Sequence, residues 1–332
     1  MLVLGVETSC DDTAAAVLLD GRTVLSNLVS SQDEVHGPYG GVVPELASRQ
    51  HIRHILPIID RAMKMAGTGL KDLNGLAVTC GPGLAGSLLV GLSFVKGISF
   101  RWGIPYVGVN HLEAHLLAIF LERDVPFPYI ALLASGGHTL LYLVRDFADY
   151  LHLGGTRDDA AGEAYDKVAK MMGLGYPGGK VIDQLAKNGD PRAISFPRAR
   201  LKKGSYDSSF SGLKTAVWHY LREHAREGWN SQKADIAASF QEAVVDMLVS
   251  PTMRAAKELR VQRVVLAGGV SANSRLRTKM EEKAREMGVE IYFPSPALCT
   301  DNGAMIALAG HRWLERGRRD DFCLNADADL TL

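Results

Sequence analysis

The chain has few cysteines, few aromatic residues and no excess of either charge. Its 332 residues include four cysteines, Cys10, Cys80, Cys299 and Cys323, and none of them belongs to a CxxC pair. This pattern argues against a disulfide framework or a zinc ribbon and favours a reduced, cytoplasmic protein. Lys plus Arg (37) equal Asp plus Glu (37), and aromatic residues make up 7%. Bulk charge therefore gives no argument for nucleic acid binding, and only local basic patches remain as candidates.

Long apolar runs are also scarce. Only residues 73–95 are long and uncharged enough to suggest a membrane span, and Asn74 and the Gly81-Pro82-Gly83 interruption divide them. They predict a strand, a turn and the start of a helix. No basic segment precedes Glu7, so the first residues indicate a strand rather than a signal peptide. We expect a folded protein without a membrane segment.

The length predicts two α/β lobes, because 332 residues exceed what one hydrophobic core usually supports. An apolar segment, a polar turn and a second apolar segment occur at residues 1–19 and again at 129–144, which is a weak internal repeat. Helical periodicity and further short strands follow each copy.

We assign residues 1–110 to a first lobe and 111–301 to a second, and expect a helix at about 302–320 to return to the first lobe. Pro126 and Pro128 mark a candidate break before the second hairpin, and residues 175–212 are predicted to form a loop-like stretch.

Residues 81–86 (GPGLAG) have the GxGxxG spacing of a dinucleotide fingerprint, between a predicted strand and a helix. No acidic residue for a ribose follows between Asp72 and Glu113, so NAD is disfavoured. The glycines either present backbone N–H groups to an anion or allow close packing. Both interpretations remain open.

His111 and His115 are spaced i, i+4, which places two imidazoles on one face if the segment is helical. Such a pair can chelate one ion, but two hydrogen-bonded histidines give the same pattern. Glu113 stands at the wrong position for the HExxH arrangement of metallopeptidases. Asp301, at a predicted helix start, is either a third ligand or an N-cap.

Two glycine turns follow predicted strands at residues 135–139 (SGGHT) and 266–273 (LAGGVSAN). The first resembles a phosphate-cradling hairpin, and Asn273 in the second offers a donor and an acceptor to a base or ribose. Each could also be a structural turn. With the polar hairpin at 7–13, they make three candidate nucleotide-facing turns.

Nine segments, in this order and spacing, carry a family resemblance. They are residues 7–13 (ETSCDDT), 40–49 (GGVVPELASR), 111–115 (HLEAH), 135–139 (SGGHT), 158–166 (DDAAGEAYD), 176–179 (YPGG), 209–215 (SFSGLKT), 267–273 (AGGVSAN) and 299–303 (CTDNG). The sequence resembles the bacterial TsaD family, the tRNA N6-adenosine threonylcarbamoyltransferases once called glycoproteases. Asp12 departs from the Glu that many members have, and the C-terminal tail lacks the family's Arg-Trp-Pro-Leu-like ending.

The resemblance implies two ribonuclease-H-like lobes of the actin, sugar kinase and Hsp70 type with a central ligand cleft. It implies transfer of a threonylcarbamoyl group from threonylcarbamoyl-adenylate to N6 of adenosine 37, in tRNAs that read codons beginning with A, with release of AMP. A metallopeptidase, suggested by the histidine pair, and a nucleotide-binding scaffold without group transfer are the alternatives.

The resemblance also implies site residues and partners. The metal ligands are His111, His115 and Asp301, which would hold one divalent ion, Fe²⁺ or Zn²⁺. The adenylate contacts are Ala134, Ser135, Gly136, Gly137, His138, Asp166, Gly179, Asp183 and Asn273. Asp11 or Asp12 would accept the proton of the attacking amine or position the base. The expected partners are tRNA, an inactive TsaB-like paralogue of the same fold, docked through helices of the first lobe, and a small TsaE-like ATPase.

The densest basic segment near these motifs is a candidate RNA contact. It comprises Arg198, Arg200, Lys202, Lys203 and Lys214, around Tyr206 and Phe210. A solvated charged loop is the competing interpretation.

Overall fold

A computed structural model describes residues 1–199, 204–225 and 228–332 of the chain. The strands of the described residues are β1 (Leu2–Glu7), β2 (Thr13–Leu19), β3 (Thr23–Ser30), β4 (Gly75–Gly81), β5 (Tyr106–Asn110), β6 (Tyr129–Ala134), β7 (Thr139–Asp146), β8 (Asp149–Gly155), β9 (Arg263–Ala267) and β10 (Glu290–Tyr292).

The α-helices of the same residues are α1 (Asp33–His36), α2 (Pro44–Met65), α3 (Ala85–Trp102), α4 (His111–Leu117), α5 (Ala161–Met171), α6 (Gly178–Ala186), α7 (Ser211–Glu223), α8 (Lys233–Glu258), α9 (Ser274–Met287), α10 (Pro296–Cys299) and α11 (Gly303–Glu315). Short 3-10 turns lie at Gly37–Tyr39, Leu70–Asp72, Ala118–Leu121, Trp229–Gln232 and Gly269–Ala272. None of these helices has the length and apolar character that a membrane crossing needs.

The chain divides into two compact units. Unit 1 comprises Met1–Val125 and Thr300–Leu332, and unit 2 comprises Pro126–Cys299. The returning helix α11 belongs to unit 1. Residues 111–125, which we assigned to the second lobe, also lie in unit 1, because α4 packs against α11. The division falls at the predicted proline break.

Each unit is built on a five-stranded mixed sheet with the same connectivity. The order is β3-β2-β1-β4-β5 in unit 1 and β10-β9-β6-β7-β8 in unit 2. In each sheet an antiparallel three-stranded meander is extended by two parallel strands, β4 and β5 or β9 and β10. The weak sequence repeat therefore corresponds to a repeated topology.

The sequences of the strands are nearly continuous apolar runs, because helices cover the sheets. In unit 1 the side chains of Leu4, Val6, Leu76 and Val78 are fully buried, as expected for the centre of a covered sheet. In unit 2 the long helix α8 supplies much of the core against β6.

One prediction about the second unit was wrong. Residues 175–212 are not loop throughout, since Gly178–Ala186 form α6. The helix begins directly after Pro177, where the missing N–H of proline and the fixed φ suit a helix start.

Candidate functional site

The carboxyl ends of neighbouring strands position the polar side chains of unit 1. β1, β4 and β5 lie side by side and parallel, and α4 begins directly after β5. Asn110 caps this helix, since its Oδ1 accepts from the backbone N–H groups of Leu112 (2.9 Å) and Glu113 (3.2 Å). This cap fixes the start of α4, and with it the position of His111.

His111, His115 and Asp301 meet at the start of α4. Asp301 Oδ1 lies 3.0 Å from His115 Nε2 and 3.6 Å from His111 Nε2. One candidate ligand atom from each of the three lies within 4.8 Å of the others. Two imidazole nitrogens and one carboxylate oxygen at this separation could hold a metal ion and leave coordination positions open.

The structure separates the two interpretations of Asp301. Asn302, and not Asp301, caps α11, because its Oδ1 accepts from the N–H of Met305 (3.0 Å). Asp301 is left to face the histidines. The next residue but one, Gly303, lies so close to β2 that an added Cβ would sit 2.5 Å from the backbone nitrogen of Ala16. Close packing of this glycine therefore fixes the segment that carries Asp301.

Glu7, the last residue of β1, is fully buried beside His111. Its Oε2 accepts from Thr79 Oγ1 (2.7 Å) and lies 3.0 Å from His111 Nδ1, and its Oε1 accepts from the N–H of Ser9. Burial opposes both charges, but the carboxylates of Glu7 and Asp301 raise the pKa of His111 to about 9. Although burial raises the pKa of Glu7, the charge of His111 and its hydrogen bond lower it on balance. Metal binding at Nε2 would therefore release a proton.

Glu113, the acidic residue between the two histidines, faces away from them. It is buried, and its Oε2 accepts from Trp313 Nε1 at 2.7 Å. This hydrogen bond joins α4 to α11. The carboxylate therefore has a structural partner in α11, and its position in the sequence is not that of the glutamate in the HExxH arrangement.

Asp11 and Asp12 lie in the connection between β1 and β2. Burial, with the charges of Asp301 and Asp11, raises the pKa of Asp12 to about 8, and burial also raises the pKa of Asp11. His51 of α2 holds the same connection, since its Nε2 donates to the carbonyl of Cys10 (3.0 Å). The sequence did not single out His51.

Close packing explains the glycines at 81–86. A Cβ at Gly83 would lie 2.5 Å from the carbonyl oxygen of Ser9, and one at Gly86 would lie 2.5 Å from Ser48 Oγ. A Cβ at Gly81 would lie 2.0 Å from the carbonyl oxygen of Asp327. These contacts favour the packing interpretation over an anion site.

In unit 2 the turn at residues 135–138 joins β6 to β7. The N–H of Ser135 donates to the carbonyl of His138 (2.7 Å), and Ser135 Oγ accepts from the N–H of His138 (3.1 Å). Gly136 and Gly137 are exposed, and a Cβ on either would meet nothing within 4 Å among the described residues. The turn therefore presents open backbone to solvent.

The other predicted adenylate contacts of unit 2 lie on neighbouring segments. The turn before α9 approaches Ala134, since a Cβ at Gly268 would be 2.4 Å from its carbonyl oxygen. Asp166 accepts from the N–H of Gly178 (2.7 Å), next to Gly179. Asp183 accepts from Ser274 Oγ (2.8 Å).

Asn273 is buried, and both ends of its side-chain amide are bonded within the unit. Its Oδ1 caps α9 by accepting from the N–H of Leu276 (2.9 Å), and its Nδ2 donates to Gln241 Oε1 (2.7 Å). The residue therefore fixes the turn in which it lies. Gln241 was missed in the sequence, where nothing marks it among the apolar residues of α8.

The predicted basic segment is only partly described. Arg200, Lys202 and Lys203 lie outside the described residues. Arg198 pairs with Asp246 (2.9 Å), and Lys214 pairs with Asp159. Phe210 is fully buried, and the hydroxyl of Tyr206 donates to Glu258. Two of the five cations proposed for RNA, Arg198 and Lys214, thus have ion-pair partners inside unit 2.

Comparison with solved structures gives the class of the fold. Component A of (R)-2-hydroxyglutaryl-CoA dehydratase from Acidaminococcus fermentans matches with a TM-score of 0.56 at 17% identity, over 94% of this chain and 98% of that chain. Full-length HypF in its phosphate- and nucleotide-bound form matches with a TM-score of 0.61 at 15% identity, over 95% of this chain and 56% of that chain. With the repeated sheet order, these similarities define the class of two ribonuclease-H-like lobes to which the actin-like and sugar-kinase-like proteins belong.

Sequence comparison gives the family. The TsaD model, tRNA N6-adenosine threonylcarbamoyltransferase, matches residues 23–308. A tRNA N6-adenosine threonylcarbamoyltransferase of Syntrophotalea carbinolica is 52% identical, over 100% of this chain and 97% of that protein. Its counterpart in Geobacter metallireducens is 55% identical, over 98% and 96%. The chain belongs to the TsaD family and is a transferase, which confirms the resemblance identified in the sequence.

Proposed function

We propose that the chain transfers the threonylcarbamoyl group of threonylcarbamoyl-adenylate to N6 of adenosine 37, in tRNAs that read codons beginning with A. The N6 amine forms a bond to the carbamoyl carbon, and the bond from that carbon to the phosphate oxygen breaks. AMP leaves with the electron pair of that bond, and N6 gives up one proton. The reaction needs no protein nucleophile.

The convergence of His111, His115 and Asp301 supports this proposal most strongly. His111 and His115 lie on one helix and Asp301 comes 186 residues after His115, yet one candidate ligand atom from each lies within 4.8 Å of the others in a chain of this family. We propose that they hold one divalent ion, Fe²⁺ or Zn²⁺, because imidazole and carboxylate together suit both. When bound, such an ion supplies Lewis acidity toward the carbamoyl oxygen.

The proton of the attacking amine goes to a carboxylate of the connection between β1 and β2. Asp11 and Asp12 are the candidates, and both have raised pKa values, which makes them better proton acceptors when ionised. Positive charge beside Asp301 would offset one of the causes that raise the pKa of Asp12, so its ionised form would be more populated in the loaded site than in the empty one. The Asp12 side chain is one methylene shorter than the Glu of many family members.

The adenylate is bound by unit 2 through the backbone of Ser135, Gly136, Gly137 and His138. The N–H groups of Ser135 and His138 are bonded within the turn, so the exposed backbone of Gly136 and Gly137 is the part that suits a phosphate. Asp166, Asp183 and Asn273 act mainly by holding the surrounding segments, which follows from their bonds to Gly178, Ser274 and Leu276. Ala134 and Gly179 allow the adenylate to approach the backbone closely.

A paralogue of the same fold docks on the helices of unit 1, and a small ATPase joins the assembly. The long helices α2 and α3 pack together and expose large apolar side chains that a partner would cover. The most exposed are Phe100 (82%), Ile52 (66%) and Leu56 (62%).

Nucleoside analysis by mass spectrometry tests the proposed reaction. Purified protein, alone and with its partners, is incubated with threonylcarbamoyl-adenylate and unmodified tRNA. We expect modified adenosine and AMP in equal amounts. His111→Ala should remove most bound metal and lower the transfer rate about 100-fold or more, because the ion and its alignment are removed together. His219→Ala, the same change at an exposed histidine of α7, should leave both unchanged.

Three results would contradict parts of this proposal. Stoichiometric metal in both His111→Ala and His115→Ala proteins would show that the ion binds elsewhere. Peptide cleavage under the same conditions would favour the metallopeptidase. Bound adenylate without any modified nucleoside, even with all partners present, would favour a nucleotide-binding scaffold.

A further inference from the structure

The carboxylate of Glu7 is the most deeply enclosed charge near the three ligands. Its side chain has no exposed surface. An ionised carboxylate in such a place is strongly unfavourable unless its oxygens accept several hydrogen bonds. Glu7 accepts from Ser9, Thr79 and His111. The chain therefore maintains a buried carboxylate whose removal would leave these three buried donors without an acceptor.

The geometry of His111 shows where this charge acts. Nδ1 lies 3.0 Å from Glu7 Oε2 and 3.2 Å from Ser9 Oγ, whereas Nε2, on the other side of the ring, lies 3.6 Å from Asp301. An ionised carboxylate can only accept, so Nδ1 carries the hydrogen. In the neutral ring this leaves the lone pair on Nε2, the nitrogen that faces Asp301.

We infer that Glu7 is a positioning residue that holds His111 with Nε2 available as a metal ligand. The inference rests on the proposed metal site. Metal-binding histidines commonly donate their second ring N–H to a carboxylate, which fixes the ring and makes the ligand nitrogen more basic. Glu7 fulfils that role from β1, a strand that contributes none of the three ligands.

His115 provides an internal comparison, because it has no such carboxylate. Its Nδ1 is buried and has no hydrogen-bond partner among the described residues. Its ring is oriented by the contact of Nε2 with Asp301 Oδ1 (3.0 Å) and by packing against His111, which it meets edge to face with ring centroids 4.7 Å apart. Glu7 therefore acts on one of the two histidines only.

Thr79 holds Glu7 in turn. Its hydroxyl donates to the same oxygen, Oε2, that accepts from His111 (2.7 Å). Thr79 is not one of the three ligands, and its change to Val keeps the β-branched shape while removing the donor. The effect of Thr79→Val on metal binding should have the same direction as that of Glu7 variants and be smaller.

Cobalt titration of the metal-free, full-length protein tests the inference. Co²⁺ is added and followed by its visible absorption bands, which report ligand geometry independently of activity. Glu7→Ala should weaken Co²⁺ binding about 10- to 100-fold and change the bands, because the ring loses its orientation. Glu7→Gln should recover part of the affinity, since the amide oxygen can still accept from Nδ1.

Ser99→Ala serves as the control for reduced stability. Ser99 is a buried hydroxyl of unit 1 that donates to the carbonyl of Ile104 (2.7 Å), away from the ligands. Its removal should lower the unfolding temperature without changing Co²⁺ affinity or spectrum. Circular dichroism of each variant confirms that folded protein is compared, and Thr79→Val provides the test if Glu7→Ala does not fold.

The outcomes separate this inference from the proposed metal site. If the unaltered protein binds no Co²⁺, or if His111→Ala binds it equally well, the metal site itself is wrong. If the unaltered protein binds Co²⁺, His111→Ala does not, and Glu7→Gln and Thr79→Val match the unaltered affinity and bands, Glu7 serves the fold alone.

Discussion

The two units share one sheet topology but use their polar side chains in opposite ways. In unit 1, His111, His115 and Asp301 direct ligand atoms toward one another. In unit 2, the side chains of Asp183 and Asn273 bond to neighbouring segments, and the exposed element is the backbone at residues 136–137. Unit 1 thus brings candidate metal-ligating side chains together, whereas unit 2 exposes backbone that neighbouring side chains hold in place.

The same contrast extends to the glycines. Those of unit 1 near the ligands are sites of close approach, as at Gly303 against β2, where any side chain would collide with backbone. Gly136 and Gly137 of unit 2 have open space instead. Gly303 is therefore required by close packing, whereas Gly136 and Gly137 leave open space beside the turn.

The largest loss of stability is expected at the closely packed Gly303, in contrast to the open Gly137. Gly303→Ala should lower the free energy of unfolding by about 1–3 kcal/mol, because its Cβ would lie 2.5 Å from the Ala16 nitrogen and the start of α11 must move. Co²⁺ binding should weaken with it, since Asp301 lies two residues earlier. Gly137→Val should change the free energy of unfolding by less than about 1 kcal/mol yet abolish binding of AMP analogues.

Thermal unfolding and calorimetry of both variants measure these effects. A stable Gly303→Ala protein with unaltered Co²⁺ affinity would show that close packing does not fix Asp301. Unchanged affinity of Gly137→Val for AMP analogues would show that the turn does not contact the adenylate.

A smaller effect concerns the carboxylates that stabilise unit 2. Burial alone would raise the pKa of Glu242, but its hydrogen bonds to Arg275 and Lys279 lower it from 4.5 to about 2. A pKa that is lower in the folded state stabilises the fold above the unfolded value, and this contribution disappears as the pH falls from about 4.5 toward 2. Glu242→Gln should therefore lower stability at pH 7 by about 2 kcal/mol, with allowance for solvent screening.

Unfolding temperatures of the unaltered protein and Glu242→Gln, measured from pH 7 to acid, check this. The difference between the two should shrink as the pH falls through that range. A difference that is constant with pH would mean that the carboxylate charge does not contribute.

From local sequence patterns, only the two histidines on one turn of helix could be predicted as part of the site. The i, i+4 spacing of His111 and His115 is a local feature, so the histidine pair could be found without a fold. Asp301 lies 186 residues beyond His115 and required the family resemblance. The contact of Glu7 with His111 spans 104 residues and depends on adjacent ends of parallel strands, although a Glu that ends an apolar strand was a usable signal.

The fold was predicted in class but not in every boundary. The repeat of apolar hairpins identified two similar lobes, and their common strand order confirms them. Residues 111–125 were misassigned because the contact that ties α4 to unit 1, Glu113 with Trp313, spans 200 residues. The helix α6 was missed because two glycines at its start lower the helical signal, and only tertiary packing makes up for them.

The smallest effect, on tRNA affinity, is expected from the basic segment. Arg198, which has an ion-pair partner, can be compared there with Lys202 and Lys203. Arg198 donates to Asp246 and to the carbonyl of Phe196, so Arg198→Ala should reduce stability slightly and leave tRNA affinity unchanged. Lys202→Glu combined with Lys203→Glu should weaken tRNA binding and reduce its salt dependence, by about one unit of log–log slope for each phosphate that the protein no longer neutralises. Adenylate binding should stay the same.

Titrations of tRNA at two salt concentrations, with and without the partner proteins, measure both variants. If the double charge reversal changes neither the affinity nor the slope, the RNA docks on another surface, because a protein that neutralises fewer phosphates must also release fewer counterions.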